Sequence, residues 1–570
     1  MTTGSLRLLL EDFLGLMKEE GELDSFLPLL FSSMGHEIVF RAQKGPRQYG
    51  VDIVSVGKDP DGRKKLFLWL VKCGDIGRQE WNSGPQSVRQ SIDDVGDVYL
   101  ASHISPQHKS LPKKLIVLTN GDYLSSINQT LASFLSTWAA RNQAEVDQIN
   151  GSSLAALVER HLLTEYVLPT GDRALLRRML ANVGTPELSV SVGRQLVNNL
   201  LAKARTPAKS KGAHTKQVLT ALRGIRTSLS VLLYWAQNEG NLRAPYRLAE
   251  YTILAVWGEF HGVLGQRSDV SQEFAELLAQ LTAIADAFHL RLEPYHQTQN
   301  AIATVRPDSI LVSETVFEEL GRLGLQGCIW ASLSVQGLGE VAAAMAGVYR
   351  GRLRAILETH TCSRSPTYDH QSVDVHAALL LLLAVGDKDV AMQWVEEMAV
   401  RLGYAVKHRR HWPLNASFDE ALAIHHESEV PALEHMRHTT FVPLLLLWTA
   451  VLGMGKVYEF LVTEVVANLG STTMNFWSPE QDFDAIVADG RTLQAHGVGE
   501  GFLQVPAKPS EFIAQLAAPL EGAQPIANSA WYQFRAAYIP LLAGLYWRLQ
   551  IPRQMLTEQA LALASQPNER

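Results

Sequence analysis

Cysteine is scarce in this chain of 570 residues, with Cys73, Cys328 and Cys362 the three present. An odd, sparse set cannot build a disulfide framework and fits a reducing cytosol. Positive charge is not in excess: 51 Lys and Arg face 58 Asp and Glu, for a formal net charge of −7. That balance excludes a globally basic nucleic-acid binder but leaves room for a local basic patch. Long apolar runs are also missing. The greasiest, Ala377 to Val385 and Phe441 to Met454, fall short of the roughly 20 residues a bilayer demands, so they read as buried helices. The opening MTTGSLRLLLEDF lacks the basic start, long apolar middle and small-residue cleavage site of a signal peptide. These absences predict a cytoplasmic protein with no membrane segment. No GxxxxGK[ST], no GxGxxG opening a helix after a strand and no GxSxG elbow in a strand-turn-helix setting occurs, which removes the common nucleotide and acyl-transfer chemistries.

Apolar residues make up 46% of the chain and charged residues 19%, enough to bury a large core. At roughly 150 residues per domain the length predicts two to four domains. Residues 1–165 alternate in character. Helical spacing over Leu6 to Glu20 and Asp24 to Met34 is followed by strand patterns at Glu37 to Ala42, Val51 to Val56 and Leu66 to Lys72. Asp59-Pro60-Asp61-Gly62 is the turn between the last two. A helix from Gln86 to His103, a strand from Lys114 to Thr119, a helix from Tyr123 to Ala144, a weak strand from Glu145 to Ile149 and a helix from Ser152 to His161 complete the block. The order predicts an α/β domain, a mixed sheet flanked by helices.

Residues 166–240 read as a basic linker and helix. No acid occurs between Glu187 and Glu239, while Arg194, Lys203, Arg205, Lys209, Lys211 and Lys216 all fall there. The small-residue centre ARTPAKSKGAHTK suggests flexibility. Such a stretch can track a phosphate backbone without reading sequence, and Lys203, Arg205, Lys209, Lys211 and Lys216 are its candidate DNA contacts; a solvated linker beside a basic helix face is the plainer reading. Residues 241–570 carry helical patterns and no fixed repeat, which predicts a large all-α regulatory or sensor region, divisible into two subdomains near 470 to 510. The longest patterns are Arg247 to Leu264, Val270 to Leu290, Leu338 to Glu358, Val373 to Ala384, Val390 to Leu402, Ala432 to Met454 and Trp531 to Leu549. His408, His411, His425, His426, His435 and His438 cluster in sequence, but without a Cys pair or HExxH they read as satisfied or surface histidines rather than a zinc site.

The chemistry-bearing segment is GHEIVFRAQKGPRQYGVDIVSVGKDPDGRKKLFLWLVKCGDI. Asp52 begins one strand and Lys72 ends the next, so adjacent strands bring a carboxylate and an ammonium to one end of the sheet. A carboxylate so placed can hold a hard divalent cation, and a neighbouring lysine can orient water or offset charge on phosphate. Met34-Gly35-His36, Gly50-Val51-Asp52-Ile53 and Leu70-Val71-Lys72 together resemble the restriction-endonuclease-like PD-(D/E)xK superfamily, most closely its Mrr-type branch, over about residues 24 to 165. The resemblance implies an Mg²⁺- or Mn²⁺-dependent endonuclease that acts on DNA, in restriction or anti-phage defence, alone or with a partner protein encoded nearby or as an oligomer. It assigns Asp52 and Lys72 as catalytic and Asp52, with Asp24 in support, as metal ligands. The family's second acid falls where this chain has Leu70. The missing ligand then comes from Asp24, Asp75 or Glu80, helped by the Val71 carbonyl, or the domain is a catalytically inactive DNA- or protein-binding module.

Overall fold

A computed structural model describes residues 11, 14–15, 17, 23–41, 49–83, 87–161, 170–205, 211–306, 308–335, 339–408, 418–426, 438–470, 472–495, 497–499 and 503–564. The chain divides into two compact units, Met1–Ala244 and Pro245–Arg570. Most of the expected Leu6 to Glu20 helix lies outside the described residues, as do Lys209, His411 and His435.

In the first unit, helix α1 (Asp24–Ser33) ends as its glycine predicts. The His36 amide reaches back to the Phe31 carbonyl at 3.0 Å while Gly35 takes φ +86°, a left-handed closure that costs little without a Cβ. Strands β1 (Glu37–Arg41), β2 (Ile53–Lys58) and β3 (Lys64–Lys72) pair antiparallel in that order. Helices α2 (Arg78–Asn82) and α3 (Val88–Asp94) lead to β4 (Lys113–Thr119), and α4 (Asn128–Asn142) to β5 (Glu145–Ile149). Both later strands run parallel to β3, giving a five-stranded mixed sheet of order β1-β2-β3-β4-β5. The expected Gln86 to His103 helix begins as α3 and continues through a wider turn, Val95–Tyr99, into Leu100–Ser102. Helix α5 (Gly151–His161) follows β5.

The strand β3 is apolar on both faces because it lies inside the sheet. Leu66, Leu68 and Leu70 pack with Val88 and Ile92 of α3 and Leu131 of α4. On the other face Trp69 stacks on Phe31 of α1 with ring centroids 3.7 Å apart. Its indole and the His36 imidazole share the Ser55 hydroxyl at 2.9 and 3.0 Å. Burial, partly opposed by the Asp59 charge, holds His36 below the ordinary imidazole value. The β2–β3 turn forms at Asp59–Gly62 as its residues predict, with Gly62 at φ +80°. Lys65, 1% exposed, is held there by Asp59, Asp61 and Glu145 at 2.7, 2.7 and 2.8 Å. Burial alone would lower its pKa; these three carboxylates raise it instead.

The acid-free stretch is helical on both sides of residues 206–210, which lie outside the described residues. After α6 (Thr170–Ala181), helices α7 (Pro186–Arg205) and α8 (Lys211–Asn238) carry it. Val192, Leu196 and Leu200 on α7, and Val218, Leu222, Ile225 and Leu229 on α8, are buried at helical spacing, while the middle of the small-residue stretch read as a flexible linker is among the residues not described.

The second unit is built from α9 (Arg243–Phe260), which spans the division, α10 (Ser268–Gln297), α11 (Ser309–Leu333), α12 (Gly339–Thr359), α13 (Ser372–Ala384), α14 (Lys388–Lys407), α15 (Phe441–Val451) and α16 (Tyr538–Trp547). Two sequence expectations change. The Ala432 to Met454 helix begins only at Phe441, since His438–Thr439 is a strand paired with Thr473–Met474; residues 427–437 lie outside the described residues. The Trp531 to Leu549 helix splits into Ala530–Gln533 and α16, with Arg535 between them at φ +54°. No helix among the described residues is long and apolar enough to cross a membrane.

A buried polar knot joins α9, α10 and α11. One Glu319 oxygen accepts from His289 Nδ1 at 2.7 Å and lies 2.9 Å from His296 Nε2, the second approach off the hydrogen-bond line. The Tyr246 hydroxyl reaches His289 Nε2 at 3.3 Å. Burial alone would raise the Glu319 pKa; the charge and hydrogen bond of His289, then the close approach of His296, bring it well below the carboxylate range. A carboxyl depressed in the native state stabilises it above its unfolded value, near 4.5, and loses that contribution as pH falls through the lower native value. Glu319→Gln is therefore expected to lower the urea midpoint most above about pH 4.5, with the gap to wild type narrowing as the solution is acidified further. A gap independent of pH would detach Glu319 from this charge balance.

Candidate nucleic-acid interface at the strand ends

The parallel strands β3, β4 and β5 deliver their C-terminal ends to one side of the sheet, where open α/β sheets bind ligands. β2 runs the other way, so its first residues return to that side. Asp52 thus stands beside the end of β3. Its amide donates to the Trp69 carbonyl at 2.9 Å, and its carboxylate accepts the Val71 amide at 2.7 Å. Lys72 is the next residue on β3 and is half-buried. The expected convergence of Asp52 and Lys72 on one end of adjacent strands is what the pairing produces. Gly50 makes the approach feasible: it takes φ +78°, and a Cβ there would lie 2.0 Å from the Ser91 carbonyl oxygen of α3.

The other expected ligands do not join them in a cluster. Leu70 is 1% exposed and belongs to the core beneath α3 and α4. The Asp75 carboxylate accepts the Asp122 amide at 2.8 Å, and Glu80 caps its own helix by accepting the Gly77 amide at 3.0 Å. Asp24 occupies the first turn of α1. Among the described residues, no three of His, Cys, Asp and Glu converge to hold a metal ion, in the strand-end region or among the sequence-clustered histidines. A hard divalent cation takes several oxygen ligands. Asp52 offers a carboxylate with one oxygen already accepting an amide, and Leu70 offers only carbon. This donor set does not fit Mg²⁺ or Mn²⁺.

Two residues at the same strand ends escaped the sequence reading. Asn120, 2% exposed, donates to the Leu14 and Met17 carbonyls at 2.7 and 2.8 Å and accepts the Gly74 amide at 2.7 Å. Thr119 donates its hydroxyl to the Gly74 carbonyl and accepts the Gly121 amide at 3.1 Å. Together they clamp the chain that follows Lys72. A buried polar pair closing an apolar strand was the available signal, but Asn120-Gly121 reads equally well as a turn.

The basic stretch is placed by α7 and α8. The Lys203 ammonium, on a side chain 42% exposed, pairs with the buried Asp172 carboxylate of α6. Arg205 closes α7, Lys211 opens α8 and Lys216 stands exposed on α8.

Comparison with protein-family profiles, with curated proteins and with solved structures gives no match.

Proposed function

We propose that residues 24–165 form a nuclease-like domain that engages nucleic acid through its strand ends without cutting it, with the helical unit acting as regulator or sensor. Support for the fold reading is the order helix, three antiparallel strands, helices, then two strands parallel to the third. The observation that carries the non-cutting reading is the pairing of Asp52 with a core leucine. Its carboxylate serves as acceptor for the Val71 amide, and the position of a second acid is the buried Leu70. Lys72 stands at this corner as a cation a phosphate could meet, and among the described residues no cluster of three metal-ligating side chains forms there.

The test is incubation of the purified full chain with plasmid and Mg²⁺ or Mn²⁺, beside Asp52→Ala and Lys72→Ala, with DNA retention measured against salt. The expected result is no nicking above background, and a log–log salt slope that falls by about 1 in Lys72→Ala. Nicking lost in both variants would establish a hydrolase and end this reading. Retention with the same slope in Lys72→Ala would remove the strand ends from the interface.

A further inference from the structure

The second unit holds a half-open cavity of about 260 Å³. Three short chain segments frame it. His438 comes from the strand paired with Thr473–Met474, and that pairing sets Asn475 beside it, the Asn475 amide donating to the Thr439 carbonyl at 3.0 Å. Trp477 begins the strand paired with Gly497–Gly499. Helix α16 closes the far side with Pro540, Ala543 and Gly544, small or ring-shaped residues that leave the volume open.

The walls are anchored from behind. Asp369, next to His370, is fully buried and accepts from the Thr439 hydroxyl at 2.7 Å and from the Thr440 and Phe441 amides. Asp484, next to Phe483, is fully buried and accepts from the Trp257 indole and the Ala530 amide, each at 2.7 Å. Two buried carboxylates thus hold the residues that face the cavity, and a site whose shape precedes its ligand loses less on binding.

The lining has a definite chemistry. Phe476, Trp477 and Phe483 supply aromatic surface. Gln494 and Gln550 supply amide edges, each able to donate and accept at once, and Asn475, His370 and His438 add further polar lining. Among the described residues, no Asp, Glu, Lys or Arg lines the cavity. Burial holds His370 below the ordinary imidazole value, so it stays neutral near pH 7. Among those described side chains, a charged ligand would find no Asp, Glu, Lys or Arg to pair with. A flat ligand with paired donors and acceptors on its edge, and faces that stack, matches every part.

We infer that this cavity binds a neutral, planar heteroaromatic molecule of the nucleobase class, taken as a free base or nucleoside. The inference concerns the helical unit and stands apart from the strand ends of the first.

The test is calorimetric titration of the full chain with adenosine, guanosine, cytidine and uridine, with their 5′-monophosphates and indole as comparisons. At least one nucleoside is expected to bind with 1:1 stoichiometry and a Kd below about 1 mM. Gln550→Ala is expected to weaken that binding about tenfold, the loss of one hydrogen bond to a desolvated edge. Ala543→Phe, which fills the cavity, is expected to abolish it. If Ala543→Phe does not fold, as judged by circular dichroism, Gln494→Ala and Gln550→Ala decide. Absence of binding by all four nucleosides overturns the inference. So does unchanged affinity in the variants, binding by the monophosphates alone, or indole binding as tightly as the nucleosides.

Discussion

Replacing Asp369 with alanine is expected to destabilise the helical unit by about 3–5 kcal/mol, the range for removing one side of a buried charged network. Asp369 is 0% exposed and lies in the short turn Asp369–Gln371 ahead of α13. Its two oxygens take the Thr439 hydroxyl at 2.7 Å, the Thr440 amide at 2.9 Å, the Phe441 amide at 3.1 Å and the Thr440 hydroxyl. Thr440 and Phe441 open α15, so these amides are among those a helix start leaves without partners. A carboxylate at that position also meets the positive end of the helix dipole. Alanine would leave both amides unsatisfied in a core that water does not reach. Asn, which keeps one acceptor oxygen, is expected to cost roughly half as much. Urea unfolding followed by tryptophan fluorescence reads the difference, and a loss under about 1 kcal/mol for Asp369→Ala would falsify the assignment of Asp369 as the clamp on α15.

The second large effect is expected at Arg548. Its guanidinium takes both Asp374 oxygens at 2.8 Å and a Glu318 oxygen at 2.9 Å. The chain of alternating charge continues from Glu318 to Arg322 at 3.3 Å and ends in the Arg247–Glu250 pair at 2.7 Å. Arg548→Leu leaves the fully buried Asp374 without its counter-ion, at a cost of about 3–5 kcal/mol, while Asp374→Leu with Arg548→Leu is expected to regain much of it. The loss carries a pH signature. Burial, only partly opposed by Arg548, raises the Asp374 pKa from 3.8 to about 7. A carboxyl raised in the native state favours folding below its unfolded value and loses that contribution as pH climbs through the native one. The destabilisation by Arg548→Leu is therefore expected to be larger at pH 8 than at pH 5, where the carboxyl is protonated. Equal losses at the two pH values would mean that Asp374 is not the group left exposed to the missing charge.

Strands β2, β3 and β4 were legible in advance because each is short, largely apolar and bounded by turn residues, so local chemistry and tertiary environment agree. The Asp59–Gly62 turn and the left-handed Gly35 are of the same kind. Helix α11 was not legible. Gly321, Gly324 and Gly327 look like breakers in a sequence, yet they lie within a helix that runs unbroken from Ser309 to Leu333. A Cβ on any of them would come within 2.2 to 2.5 Å of Asp374, Ala377 or Leu381 on α13. The glycines are there for the neighbouring helix, and no local propensity reports a neighbour.

At the candidate site the division is sharper. Strand order placed Asp52 and Lys72 at the same end of adjacent strands, because an antiparallel pair returns the start of one strand to the end of the next. Sequence likewise supplied the substitution at Leu70. Whether another acid replaces the lost one depends on which partners folding gives to the carboxylates that follow β3. Folding sends Asp75 to the Asp122 amide and Glu80 to its own helix start. Periodicity is a property of neighbours along the chain, whereas a ligand set, a clamp such as Asn120 or a lined cavity is a property of segments that only packing brings together.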